Sequence, residues 1–255
     1  MEAKRAKKMM VFGCAHFPYN NQEATSIFCK SVARIKPDIV ISLGDLLSCD
    51  QFSQHPPTWG FPKTQYEDDA KKANAFLDRI QKHCGRLVMI EGNHEYRVNR
   101  MAAISRMIEG IHSLVEPKRL LTKDRKCTYI PYGPNEKEYP IFKVNSRVIA
   151  VHGWSYAKHA TQKHLDESQG MTILHAHSHR VQMAMDQKLW SNGDNIEARS
   201  VGCLCHRIPL YGTGSPSHWV NAFILGYLGR RSETLYTIPV HKDFVVLPDG
   251  KEIRA

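Results

Sequence analysis

Five short segments bearing histidine, aspartate or asparagine recur down the chain, each directly after an apolar run. They are Cys14-Ala15-His16, Gly44-Asp45, Gly92-Asn93-His94-Glu95, His152-Gly153 and His177-Ser178-His179. Short apolar runs bounded by turn residues read as buried strands. In open α/β sheets, ligands gather beyond the carboxyl ends of the strands. Such a chain must therefore bring these polar groups together at one end of its sheets. Asp, Asn and His are hard or borderline metal donors, so the ordered set implies a two-metal hydrolytic site. No single segment carries this reading, because with fourteen histidines in the chain a lone His is more often surface or core. The order and the repeated placement carry it.

The intervening sequence supports an α/β chain. Met9–Gly13 and Asp38–Leu43 read as buried strands. Between them Asn21–Ile35 reads as a helix with Ala24, Ile27, Phe28, Val32 and Ile35 on one face, stopped by Pro37. That order implies a right-handed βαβ unit. Leu47–Tyr66 has no period and follows a ligand segment, as functional loops often do. Glu67–Cys84 reads as a helix, Leu87–Glu91 as a third strand, and the segment from there to about Ile108 as helix. Beyond Tyr129, strands are expected at Ile141–Val144, Val148–Val151 and Ile173–His175, with one helix at about Ala157–Ser168. Further strands follow at Gln187–Trp190, Glu197–Cys203, Trp219–Tyr227 and Leu235–Pro239. A parallel first half and a largely antiparallel second half fit a two-sheet β-sandwich flanked by helices. One domain is expected over residues 1–255, with residues 1–8 as a basic tail.

Charge and cysteine usage bound the surroundings. The formal net charge is +10 and the isoelectric point is near 9.3, which favours polyanionic partners, DNA or RNA among them. No run approaches the roughly 18 apolar residues of a membrane helix, so no membrane partner is expected. Lys4, Arg5, Lys7 and Lys8 precede only a short apolar stretch, less than an export signal needs. The seven cysteines are odd in number and scattered, which points to a reducing, cytoplasmic setting. Cys203-x-Cys205 is one residue short of the usual metal-binding pair and reads as two packed thiols.

Within the ligand set, His177 and His179 lie two apart and share a face. Asp45 is the natural bridge between two ions, one oxygen to each. Asn93 offers an amide oxygen, and the imidazoles suit Mn, Zn, Ni or Fe. His94, beside a ligand but pointing elsewhere, is free to act on protons. Arg97, Arg100 and Arg180 lie close to ligand segments and favour a phosphodiester substrate.

The ordered set resembles the calcineurin-like metallophosphoesterase superfamily, whose pattern is Asp-x-His, Gly-Asp, Gly-Asn-His-(Asp/Glu), His and Gly-His-x-His. The resemblance covers about Val11 to Arg180. The tail, with Gly202-Cys203-Leu204-Cys205 and Trp219-Val220-Asn221-Ala222-Phe223, resembles poorly characterised phage-type members. The resemblance implies a four-layer α/β/β/α sandwich and two divalent ions. It implies His16, Asp45 and His179 on one ion, and Asp45, Asn93, His152 and His177 on the other. It also implies hydrolysis by a metal-activated hydroxide with His94 as proton donor. Ala176 replaces the usual Gly before His-x-His, a mild departure. Cys14 replaces the first Asp, and this matters more: its thiol either ligates as a soft thiolate or packs as a small hydrophobe beside a weakened site.

The function these residues imply is a metal-dependent phosphodiesterase on nucleic acid or a nucleotide, with Arg97 and Arg180 contacting substrate. Two alternatives stand beside it. One is a phosphomonoesterase acting on a phosphoprotein or small metabolite. The other is a non-catalytic nucleic-acid-binding protein with a degenerate first metal site.

Overall fold

In the computed structural model, residues 5–54, 64–106, 109–133, 138–187, 195–207 and 218–255 are described. The first half runs β1 (Lys7–Phe12), α1 (Gln22–Ile35), β2 (Ile39–Ser42), α2 (Tyr66–Gln81), β3 (Leu87–Ile90), α3 (Asn93–Ile104), α4 (Glu109–Val115), α5 (Pro117–Thr122) and β4 (Thr128–Ile130). The second half runs β5 (Ile141–Lys143), β6 (Val148–Val151), α6 (Ala160–Glu167), β7 (Thr172–His175), β8 (Val181–Gln187), β9 (Asn195–Val201), β10 (Ala222–Leu228) and β11 (Glu233–Pro239). A small hairpin of β12 (Phe244–Val246) and β13 (Glu252–Arg254) follows.

Two sheets form. The first has the order β11-β10-β1-β2-β3-β4, with β1 to β4 parallel, β10 antiparallel to β1, and β11 antiparallel to β10 and so running with the parallel set. The second has the order β5-β6-β7-β9-β8. Its middle strands β6, β7 and β9 are parallel, and only the edges β5 and β8 pair antiparallel. The second half is thus more parallel than its sequence suggests. β7 pairs with β9, while β8 returns to the outer edge, a crossover that no local pattern encodes.

Period-two alternation sorts the side chains into layers. From β1 to β3, Met9, Val11, Ile41, Val88 and Ile90 face the second sheet and pack on Val148, Ala150, Leu174 and Val201. Their neighbours Met10, Phe12, Val40, Leu87 and Met89 face outward against Ile27, Phe28 and Val32 of α1 and Phe76, Leu77 and Ile80 of α2. On the far side, Ile149, Val151, Ile173 and Ala198 pack on Leu165 of α6. Helix, sheet, sheet and helix therefore stack in that order. Strands buried on both faces read as continuous apolar runs, which is why β1, β2, β3 and β6 stand out in the sequence.

Local chemistry sets the helix ends. Asn21 caps α1 by accepting from the Ala24 N–H (2.9 Å), and Lys36 closes it in the left-handed region. β1 begins at Lys7, so the last two residues of the expected tail are strand. Leu47–Tyr66 contains one short 3-10 turn, Asp50–Phe52; its residues 55–63 lie outside the described part. So do residues 107–108 of the helix expected to about Ile108, and most of the strand expected at Gln187–Trp190. Among the described residues no helix is long and apolar enough to cross a membrane.

Candidate metal centre

All five segments leave strands at the same end of the two sheets. Cys14 and His16 follow β1, Asp45 follows β2, Asn93 follows β3, His152 follows β6, and His177 and His179 follow β7. The turns that carry them are strained. Cys14, His16 and Asp45 each have φ of +51°, His177 +64° and His179 +58°. For non-glycine residues the left-handed region costs about 1–2 kcal/mol each, and such strain gathers where function requires it. Backbone bonds hold the turns in place: Cys14 N–H donates to Gly44 O (3.0 Å), His16 N–H to Asp45 O (2.9 Å) and Ala176 N–H to His152 O (2.9 Å). Gly92 is forced by packing, since a Cβ there would lie 2.2 Å from both the amide nitrogen and Oδ1 of Asp45.

The side chains converge on Asp45, which is 1% exposed. Its Oδ2 lies 3.3 Å from His152 Nε2, 3.7 Å from His16 Nε2 and 4.0 Å from His94 Nε2. Its Oδ1 accepts the His94 backbone N–H (2.9 Å). Oδ1 is thus engaged by backbone, while Oδ2 lies nearest the imidazoles of both sides. On one side, donor atoms of Asp45, His152 and His177 lie within 4.8 Å of one another. On the other side the same holds for Cys14, His16, Asp45 and His179. Asn93 Oδ1 joins the first group, 2.9 Å from His152 Nε2.

The first group fits a cation because of where the protons must be. His152 Nδ1–H donates to Leu43 O (2.7 Å), which leaves the Nε2 lone pair facing inward. That lone pair meets the Asn93 carbonyl oxygen and His177 Nδ1 (3.2 Å). Acceptors facing acceptors at this range are satisfied by a shared positive charge. Burial opposes protonation of His152, but the Asp45 charge together with the ring's hydrogen bonds to Asp45 and Leu43 O holds its pKa above the ordinary value, so Nε2 draws positive charge. Burial, aided by the His152 charge, lowers His177 to about 4. His16 and His179 meet at 3.1 Å through their Nε2 atoms, and burial drives both well below the ordinary histidine range. Burial pushes the Cys14 thiol well up, with the Asp45 charge adding to it.

His94 does not point elsewhere. Its ring packs edge-on against His16 (4.4 Å between centroids). Nδ1–H donates to Ser48 O (2.8 Å), and Nε2 accepts from Arg97 (3.1 Å). Burial is the main cause of its lowered pKa, about 4. Arg97 also donates to Ser48 O (3.1 Å). With Arg100, Asn93 and His177 it lines a cleft of about 370 Å³ walled by Tyr96, Tyr132, Tyr139 and Trp154. Arg180 does not line this cleft; its carbonyl accepts from Ser200 Oγ (2.6 Å).

Some residues of the site have no assigned role in the sequence reading. Glu95 is 2% exposed. Its Oε2 accepts from Asp45 N–H and Gly92 N–H (both 3.0 Å), and its Oε1 from Leu47 N–H (2.7 Å). It thereby ties the Asp45 turn to the start of α3. Burial, with the Asp45 charge behind it, raises its carboxyl pKa to about 7. The signal was present, since Glu three residues after an N-cap is the capping-box spacing. The cleft tyrosines and Trp154 come from distant segments and left no such signal. Cys203 and Cys205 are buried, as packed thiols are, and their sulfurs also converge with a His179 nitrogen within 4.8 Å. Residues two apart share a face, so the pair was readable.

The model of the calcineurin-like phosphoesterase family matches residues 7–229, and the chain belongs to that family. No curated protein matches the sequence. Among solved structures, it is similar to Vps29 of Chaetomium thermophilum, at 14% identity over 93% of each chain with a TM-score of 0.51. It is also similar to zinc-complexed Vps29 of Entamoeba histolytica, at 12% identity over 97% of this chain and 98% of that one, TM-score 0.49. A third is YfcE, a phosphoesterase from E. coli, at 12% identity over 92% and 100%, TM-score 0.39. At such identity the first likeness concerns the fold alone, and the other two add nothing to it.

Proposed function

We propose that this protein is a metal-dependent phosphodiesterase acting on nucleic acid or a nucleotide. The observation that carries the reading is the cleft beside Asn93 and His177, where Tyr96, Tyr132, Tyr139 and Trp154 stand with Arg97 and Arg100. Tyr96, Tyr132, Tyr139 and Trp154 form a row with ring centroids 5.0, 5.9 and 5.4 Å apart. Aromatic faces stack on bases for about 1–3 kcal/mol each, and arginines pair with phosphate. A +10 chain draws such polyanions in.

Asp45, Asn93, His152 and His177 would hold one divalent ion, and Asp45, His16 and His179 would hold a second. When bound, two such ions acidify water and neutralise phosphate charge. The chain's own residues do the rest. Arg97 and Arg100 orient the phosphate at the mouth of the centre. For His94 to donate a proton, its Nε2 must carry one; a phosphate that engages Arg97 releases that nitrogen from the contact it now makes. Glu95 holds the Asp45 turn in register with Asn93.

The test is turnover of an aryl phosphodiester against an aryl phosphomonoester, with Mn, Zn, Ni and Mg, beside metal analysis of the same protein. Diester turnover exceeding monoester turnover is expected. Preference for the monoester selects the phosphomonoesterase reading. Nucleic-acid binding with no turnover by any metal-loaded form selects the binding protein, a reading that Cys14 favours by weakening one side of the centre.

A further inference from the structure

The exchange of Asp for Cys at position 14 and the Cys203-x-Cys205 pair are far apart in the chain, yet the fold makes them neighbours. Leu204 N–H donates to Cys14 O (3.2 Å), which fastens the turn after β9 to the turn after β1. Asn221 Nδ2 donates to Cys203 O (3.2 Å) and Cys205 O (2.7 Å), and lies 3.7 Å from Cys203 Sγ. This bends Cys203-Leu204-Cys205 so that both sulfurs sit beside a His179 nitrogen, all within 4.8 Å. Cys14 reaches a His179 nitrogen within the same distance as part of the other group. All four residues are buried, with Cys14 and Cys203 at 0%, Cys205 at 3% and His179 at 5% exposure.

His179 supplies the independent observation. Its Nε2 faces His16 at 3.1 Å. Its Nδ1 is buried and has no hydrogen-bond partner. A buried polar atom left unpaired is costly, and thiols packed nearby do not repair it. Trp219 covers the ring edge-on at 4.1 Å, so the pocket is shielded. Two sulfurs and an orphaned imidazole nitrogen in a shielded pocket are the donor set of a tetrahedral zinc-type site.

We propose that Cys203, Cys205 and His179 Nδ1 bind a thiophilic divalent ion of the zinc type, apart from the candidate centre around Asp45 but sharing His179 with it. Each ligating thiol loses its proton to solvent on binding, and the His179 ring loses its N–H proton as well when both its nitrogens face cations. The ion satisfies Nδ1 and ties the turns after β7 and β9 together. His179 then stands between two cations through its two nitrogens, so occupancy here fixes the ring that the other centre uses.

The full-length protein, stripped with chelator under reductant and loaded with one equivalent of zinc, decides the matter by X-ray absorption. Two sulfur neighbours at about 2.3 Å are expected. A zinc shell of nitrogen and oxygen with one sulfur or none overturns the site. Cobalt gives the second measurement, through its sulfur-to-metal charge-transfer band. The band should persist in Asp45→Asn and be lost in the Cys203→Ala/Cys205→Ala double variant. Its survival in the double variant, or its loss in Asp45→Asn, overturns a separate thiolate site. Should the double variant not fold, the zinc spectrum of the unaltered protein still decides. Absence of phosphoesterase turnover with the band intact defeats the catalytic reading and leaves this one standing.

Discussion

The two sides of Asp45 share its carboxylate and each bring two imidazoles, and they differ in the remaining donor. Toward Asn93, His152 and His177 the donors are an amide oxygen and imidazoles, and the His152 ring is fixed by its bond to Leu43 O. Toward His16, His179 and Cys14 there is no oxygen donor besides Asp45, and the third group is a thiol that burial keeps protonated. Hard ions prefer oxygen and soft ions prefer sulfur. The first side therefore suits Mn or Mg as well as Zn, whereas the second is biased toward zinc-type ions. One substitution in the turn after β1 makes a symmetric-looking set of segments chemically lopsided.

The largest effect that can break this comparison comes from the residue both sides share. Asp45→Asn should reduce aryl diester turnover to background, and Asn93→Ala should do nearly the same by removing the neutral oxygen on one side. Circular dichroism should show the fold retained, because neither side chain supports the layers. Turnover at more than half the unaltered rate in Asp45→Asn would sink the shared-ligand reading. His94→Gln comes next. General acid–base help is worth about 10²–10⁴-fold, so the catalytic rate should drop by that much while bound metal stays unchanged. Metal lost from that variant would put His94 among the ligands instead. Tyr139→Ala tests the cleft rather than the centre. Removing one stacking ring should raise KM for an oligonucleotide about 5- to 100-fold, for about 1–3 kcal/mol per base. The small aryl diester should be nearly unaffected, and equal losses on both substrates would mean the ring serves the fold.

The sequence exposed those parts of the molecule whose signal is local. β6 is bounded by Val148 and Val151, as its apolar run predicts, and α1 starts within a residue of its expected position. Strands buried on both faces and a helix with one apolar stripe leave strong periodic traces. β8 left a weak one. Val181, Met183 and Met185 point to solvent, and the strand exists because β9 pairs with it. The parallel middle of the second sheet was hidden for the same reason, since pairing partners are set by long-range contacts. The ligand segments were legible because each donor sits at a strand end, where topology alone brings it to the others. Glu95 sat inside a recognised motif without an evident task, which only its three backbone partners reveal. The cleft draws Tyr96 from the first turn of α3 and Tyr132, Tyr139 and Trp154 from later loops, and no spacing rule joins them.

The smallest effect is the one that sharpens the comparison most. Cys14→Asp restores a carboxylate where the family pattern has one, on the side that lacks oxygen. Its φ of +51° is tolerated by Asp about as well as by Cys, so the exchange adds little backbone strain. The new carboxylate is buried and faces Asp45, and two like charges at close range repel unless a cation lies between them. Metal-free protein should therefore lose stability, while Mn- or Mg-loaded protein recovers it. Occupancy by Mn or Mg should rise, and Mn-supported turnover with it, by roughly tenfold, the equivalent of about 1.4 kcal/mol of added ion binding. Zinc-supported turnover should change far less, because the thiol already suits zinc. Thermal melts with and without Mn, run beside metal analysis, separate these outcomes. Unchanged Mn occupancy, with zinc and manganese responding alike, would show that the two sides of Asp45 do not differ in hardness.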